Sequence, residues 1–123
     1  MRRKYGNKKV NINGMTFDSK REAWRYQELR LLQREGQITD LKTQKEFELI
    51  PPQYEVYERY GKNGKRLKDG KRCIEKAVKY RADFTYKENG VEIVEDTKGM
   101  RTKDYIIKRK LMLYIHGIRI REV

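Results

Sequence analysis

One cysteine, one histidine and two prolines are all that 123 residues contain of these types, and no apolar run approaches the roughly 20 residues of a membrane-spanning helix. The lone Cys73 excludes an intrachain disulfide. Cys73 and His116 together cannot supply the ligands of a structural zinc site, so zinc-finger architectures are excluded as well. With His116 the sole imidazole and near the carboxyl end, hydrolytic chemistries built on a histidine base lose their usual group. Phosphate-cradling loops are missing too: Gly64-Lys65 is followed by Arg66 instead of Ser or Thr, and no GxGxxG occurs. The basic amino terminus is not followed by a hydrophobic signal segment, so a soluble, unexported protein with no membrane partner and a cytoplasmic location is expected. Any catalysis must rest on carboxylates and lysines.

What is abundant is positive charge. Thirty-one Lys and Arg against 18 Asp and Glu give a formal charge of +13, which favours a polyanionic partner. The length suits a single domain over residues 1–123 with one site. Charged residues (40%) outnumber hydrophobic ones (37%), so the core must be thin, yet nine Tyr, three Phe and one Trp supply bulky apolar area and argue against disorder throughout.

Residues 1–9 carry Arg2, Arg3, Lys4, Lys8 and Lys9 and read as a basic arm or a solvated tail. Asn13-Gly14, between Val10 and Ile12 on one side and Met15 and Phe17 on the other, is a two-residue hairpin signal. Asp18-Ser19 then precede a helix from about Lys20 to Glu35, stopped at Gly36, with Trp24, Leu31 and Leu32 available to pack it. A strand is expected between Ile38 and Ile50, before Pro51-Pro52. Tyr54 to Tyr60 leans toward strand, with its tyrosines assigned to core or scaffold. Residues 61–72 hold Lys62, Lys65, Arg66, Lys68, Lys71 and Arg72 among three glycines, a combination suited to a loop or hairpin excursion that touches phosphates or is merely solvated. Tyr80, Ala82, Phe84 and Tyr86 alternate with Arg81, Asp83 and Thr85 as one strand. After Asn89-Gly90, Val91 to Lys98 is extended. A helix from about Lys103 to Ile115 follows, with Ile107, Leu111 and Tyr114 on its buried side, and a last strand runs from Ile118 to Val123.

The hairpin around Asn89-Gly90 carries the chemistry. If Glu88 faces Val91, the register sets Asp83 opposite Asp96, two carboxylates whose Cβ atoms lie roughly 5 Å apart on one face. Lys98, two positions on, returns to that face. Two opposed carboxylates and an ammonium make chemical sense around a divalent cation, with magnesium the natural candidate and manganese the alternative. On a phosphodiester such an ion would polarise a phosphoryl oxygen and lower the pKa of a bound water, while Lys98 orients that water or stabilises developing charge. A surface ion pair between Asp83 and Lys98 is the competing reading. Glu95 falls across the sheet, alongside Phe84, and is left out of the site. Glu22 has two readings: in Ser19-Lys20-Arg21-Glu22 it completes a capping box, and with Tyr26 and Leu29 it lies on one helical stripe that can face the sheet.

Glu22, Ala82-Asp83-Phe84 and Glu95-Asp96-Thr97-Lys98-Gly99, in this order and followed by a helix, resemble the PD-(D/E)xK nuclease superfamily. Through Gln44, Phe47, Leu49, Pro51, Tyr80 to Phe84, Glu95 to Gly99, Thr102, Tyr105, Lys108 and Gly117-Ile118, the chain is also similar to a family of small phage and prophage proteins catalogued as a domain of unknown function. Ala82 stands in place of the superfamily's proline, and Asp96 in place of its commoner glutamate. The resemblance implies an α+β fold with a restriction-endonuclease-like αβββαβ core, its mixed central sheet flanked by helices. It further implies magnesium-dependent cleavage of DNA in a bacterial host cytoplasm, and kinship with Holliday-junction resolvases that act as homodimers on branched DNA. Residue by residue, Asp83 and Asp96 would bind metal, Lys98 would be catalytic, and Glu22 would complete or orient the site as a further ligand. Thr102, Tyr105 and Lys108 would assist or contact phosphate. The alternative is a non-catalytic nucleic-acid-binding protein of the same fold, and a third reading is an RNA binder that stacks bases on Tyr54, Tyr57 and Tyr60.

Overall fold

Two Asn-Gly pairs set the local geometry on which the sheets are built. In the computed structural model, which describes residues 9–123, Asn13 and Gly14 both take positive φ (52° and 81°). That is the backbone a two-residue turn with the right-handed strand twist requires. They join β1 (Val10–Ile12) to β2 (Met15–Phe17), with Ile12 facing Met15. Asn89 and Gly90 (φ 52° and 78°) do the same for β8 (Phe84–Glu88) and β9 (Val91–Asp96), where Glu88 faces Val91 as the sequence predicts. The basic arm expected at residues 1–9 lies, except for Lys9, outside the described residues.

The architecture of the described residues is mixed α+β, with two helices, several sheets and a predominance of strand. Helix α1 (Lys20–Arg34) begins where the Ser19 hydroxyl accepts the Glu22 N–H at 3.1 Å. Helix α2 (Lys103–His116) is capped by Thr102 and closed by Gly117 at φ 67°. The principal sheet orders its strands β10–β9–β8–β3, where β3 is Thr39–Thr43 and β10 is Arg121–Glu122. β10 runs parallel to β9 and the other neighbours are antiparallel, so the sheet is mixed. The last strand is shorter than the expected Ile118 to Val123. No helix among the described residues is long and apolar enough to cross a membrane.

The two long strands anticipated from alternation are each broken in two, and they break at the same level. β3 gives way to β4 (Glu46–Ile50), and β8 is preceded by a separate β7 (Val78–Arg81) that pairs with β4. Hydrogen bonding continues across the gap, from the Gln44 N–H to the Asp83 carbonyl (3.2 Å) and from the Ala82 N–H to the Lys45 carbonyl (2.9 Å). The buried face changes there. Phe84 and Tyr86 pack with Phe17, Ala23, Leu29 and Ile38 beside α1, whereas Tyr80 and Ala82 pack with Phe47, Leu49, Val94 and Met112 beside α2. Tyr80 and Ala82 therefore do not share a side with Phe84 and Tyr86 as alternation suggested. The change falls at Gln44, whose φ of 58° no regular strand adopts.

Helix burial also departs from expectation. On α1 the buried residues are Glu22, Ala23 and Leu29, while Trp24 and Leu31 are 65% and 51% exposed. On α2 they are Tyr105 and Met112, with Ile107 and Tyr114 exposed. The strand β5 (Gln53–Tyr60) and its partner β6 (Arg66–Glu75) form an antiparallel ribbon in which only Gly70 is buried, so Tyr54, Tyr57 and Tyr60 are surface residues and not core. Much of the segment 61–72 is thus strand, with the turn at its tip. Leu29→Ala is expected to cost about 2–5 kcal/mol in denaturant unfolding. Leu31→Ala is expected to cost under about 1 kcal/mol, and equal losses would contradict this assignment of the buried stripe.

Candidate functional site

The change of face between β7 and β8 leaves Asp83 just outside strand β8, beside the end of β9. Asp96 closes β9, 2% exposed, and its Oδ2 accepts the Tyr80 hydroxyl at 2.6 Å and lies 3.2 Å from the Lys98 Nζ. Asp83 is half-buried, and its Oδ2 accepts the Thr97 N–H at 2.8 Å. The two carboxyl groups sit close enough that burial, then hydrogen bonding and charge from Asp96, push the Asp83 carboxyl up to about 8. Asp83 therefore keeps its proton to a higher pH than an ordinary aspartate. Burial and the hydrogen bond to Asp96 likewise raise the Tyr80 hydroxyl, which stays a donor.

Lys98 reaches this pair from the segment after β9, where its N–H bonds the Val123 carbonyl at 3.3 Å. Its ammonium also lies 4.2 Å from the centre of the Tyr105 ring, a cation–π contact that fixes its position. Tyr105 is 7% exposed and donates its hydroxyl to Glu122 at 2.7 Å, so it acts on the site through Lys98 and is not offered to a ligand. Glu122, gripped by Arg101 and Tyr105, is held down at about 2.

Glu22, in the first turn of α1, is 5% exposed and feels the charges of Asp96 and Lys98. Both sequence readings are half realised. Ser19 does cap Glu22, but the Glu22 carboxylate turns to the sheet and its Oε1 accepts Gln44 Nε2 at 3.2 Å. Burial and the charge of Asp18 raise its pKa. Among the described residues no three His, Cys, Asp or Glu side chains converge tightly enough to cage an ion, so the expected three-carboxylate set is not closed.

The donor chemistry of the Asp83–Asp96 pair nevertheless fits a hard cation. Magnesium is commonly held by one or two carboxylates, its remaining positions filled by water and phosphate oxygens. The neighbouring Thr97 Oγ1 is a buried atom without a hydrogen-bond partner. A cleft of about 470 Å³ opens beside Asp83, lined by Arg21, Glu22, Asp83, Thr97, Lys98 and Thr102 among others, with Asp96 buried behind its wall. Arg21 reaches across it, its Nη1 3.3 Å from the Lys98 carbonyl.

Several residues that shape the site carried little sequence signal. Gln44 entered only through the resemblance, and Tyr80 reads as one more alternating aromatic. Glu95 does pair with Phe84, as the register predicts, but it is fully buried and clamped by Arg25 (Nε–Oε1 2.8 Å, Nη2–Oε2 2.6 Å) and by the Tyr86 hydroxyl. It ties α1 to β9 one residue from Asp96. Of the remaining candidates, Thr102 caps α2 at the cleft and Lys108 is half-buried on α2. Lys62, Lys65, Arg66 and Lys68 stand exposed on the β5–β6 ribbon and its tip.

Because the folded state holds a proton that an unfolded Asp83 releases above its ordinary pKa of 3.8, this group's contribution is fully present below that value. It is lost as pH rises toward about 8. In chelator, the melting temperature is expected to fall between about pH 4 and 8 through this group. Asp83→Asn should flatten that slope and stabilise the protein at pH 8, and an unchanged slope would contradict the raised pKa of Asp83.

No curated protein and no solved structure matches the chain. Residues 2–121 match the family described as "Protein of unknown function (DUF1064)". With nearly its whole length matched, the chain belongs to that family.

Proposed function

We propose that the protein is a magnesium-dependent endonuclease that hydrolyses phosphodiester bonds in DNA, its fold a variant of the restriction-endonuclease-like core. The observation that carries this reading is the juxtaposition of half-buried Asp83, its carboxyl pushed up by burial and by Asp96, with buried Asp96 and its Lys98 partner, beside a cleft that Asp83 and Lys98 line, in a chain of charge +13. The order α1, β3, β8, β9, α2, β10, with β10 parallel to β9, supports the proposed core. Branched DNA and a homodimer are the substrate and assembly that the resemblance adds.

Asp83 and Asp96 would hold the ion, which when bound supplies a Lewis acid for a phosphoryl oxygen and a water of lowered pKa. The protein's own groups do the rest. Lys98, held by Asp96 and the Tyr105 ring, places a fixed positive charge where the phosphorus oxygens gain negative charge. Arg21 offers its guanidinium to a flanking phosphate from the cleft wall. Glu22, kept in place by Gln44, orients water at the edge of the site.

The Asp96–Lys98 ion pair by itself also suits a non-catalytic binder in which these charges are structural. One experiment separates the two. Asp83→Ala, Asp96→Ala and Lys98→Ala should each reduce magnesium-dependent cleavage of a panel of linear and branched DNAs by roughly a hundredfold or more, while binding in chelator stays near wild type. Magnesium should raise the melting temperature of the wild type by mass action and leave Asp96→Ala unmoved. Cleavage that survives these substitutions, or a melt indifferent to magnesium, would refute the endonuclease.

A further inference from the structure

The β5–β6 ribbon plays no part in the carboxylate site, yet it carries a dense set of basic side chains. We infer that this ribbon enters the major groove of double-stranded DNA and that Lys62, Lys65 and Lys68 at its tip bind the backbone phosphates. For its partner the inference rests on the proposed reading of the protein as one that acts on DNA.

Shape comes first. β5 has eight residues and therefore spans about 25 Å. A two-stranded ribbon matches a major groove about 12 Å wide. The tip is closed tightly, with the Gly61 N–H on the Lys65 carbonyl (2.8 Å), the Gly64 N–H on the Gly61 carbonyl (3.0 Å) and Gly64 at φ 75°. Lys62 and Lys65 are thus presented on a defined turn.

Charge decides which residues are available. Arg66 is paired with Asp69 at 2.9 Å, and Arg72 with Glu55 at 2.6 Å. Among the described residues no carboxylate lies within ion-pairing distance of Lys62, Lys65 or Lys68, all of them exposed.

The tyrosines decide between double and single strands. Stacking a base needs a free ring face, and two of the three rings already carry a cation. Tyr57 lies against Gly70, where an added Cβ would meet its Cζ at 2.3 Å, and carries Arg72 at 4.5 Å from its centroid. Tyr54 carries Lys71 at 4.3 Å, and Tyr60 donates its hydroxyl to Glu58 at 2.7 Å. Tyr54 and Tyr57 stiffen the ribbon instead of presenting stacking platforms. The narrow, deep major groove of duplex RNA would not admit it.

The test is the full-length protein in chelator, titrated into labelled duplex DNA, the matching single strand and duplex RNA at several salt concentrations. Wild type should prefer duplex DNA. Combined Lys62→Ala, Lys65→Ala and Lys68→Ala should lower that affinity at least tenfold and flatten the logarithmic salt slope by roughly two to three, at about 0.9 per lost phosphate contact, with an unchanged melt. Unchanged duplex affinity and slope in the triple variant would overturn the inference. So would equal binding of duplex RNA, or preferred single-strand binding lost on Tyr54→Ala and Tyr57→Ala. Because no ion is present, a protein that binds in this way but never cleaves would sink the endonuclease and leave the ribbon's role standing.

Discussion

Two carboxyl groups set side by side, one buried and one half-buried, repel each other as they ionise, and the neighbourhood of Asp83 and Asp96 is organised around that constraint. Tyr80 and the Thr97 amide each give one of the pair a hydrogen bond, and Lys98 supplies the adjacent positive charge. The repulsion that remains, together with burial, raises the Asp83 pKa. In the proposed reading a divalent cation answers the same repulsion with more charge.

The backbone supplies the geometry. Were β7 and β8 one regular strand, Tyr80 could not lie in the α2 cluster and reach Asp96 while Phe84 lies against α1. The change of face at the level of Gln44 and Asp83 lets one run of chain serve both clusters and puts a carboxylate at the crossing. The Arg25–Glu95 clamp holds α1 to the far side of the same β9 strand, and Glu22 sits one turn before Arg25. A buried pair of this kind is weak evidence for net stability, but removing either partner leaves an uncompensated charge, so it fixes where α1 lies.

How much of this was legible in the sequence follows from what each feature depends on. The Asn13-Gly14 and Asn89-Gly90 turns were readable because few residue types accept positive φ, and the second turn fixed the register that brings Asp83 to Asp96. Helix limits were readable from Ser19, Gly36, Thr102 and Gly117. The breaks were not. Alternation of apolar residues continues unbroken from Tyr80 to Tyr86 because both faces are buried, by different clusters, and a left-handed Gln44 has no compositional signature. The buried faces of the helices were legible in part: the Glu22, Tyr26 and Leu29 stripe does face the core, and Leu32 and Leu111 pack against it, but Trp24, Leu31, Ile107 and Tyr114 stay exposed. α1 buries Glu22 and exposes Trp24, so a rule that sends large apolar groups inward picks the wrong stripe. The tyrosines of β5 misled for the same reason.

The most direct test of the account is calorimetric titration of magnesium into the protein near pH 7, in two buffers of different ionisation enthalpy. If the cation takes the place of the proton held by Asp83, binding releases protons, and Asp83→Asn abolishes that release. Binding with no proton released, or no binding at all, would contradict the claim that these two carboxyl groups form an ion site.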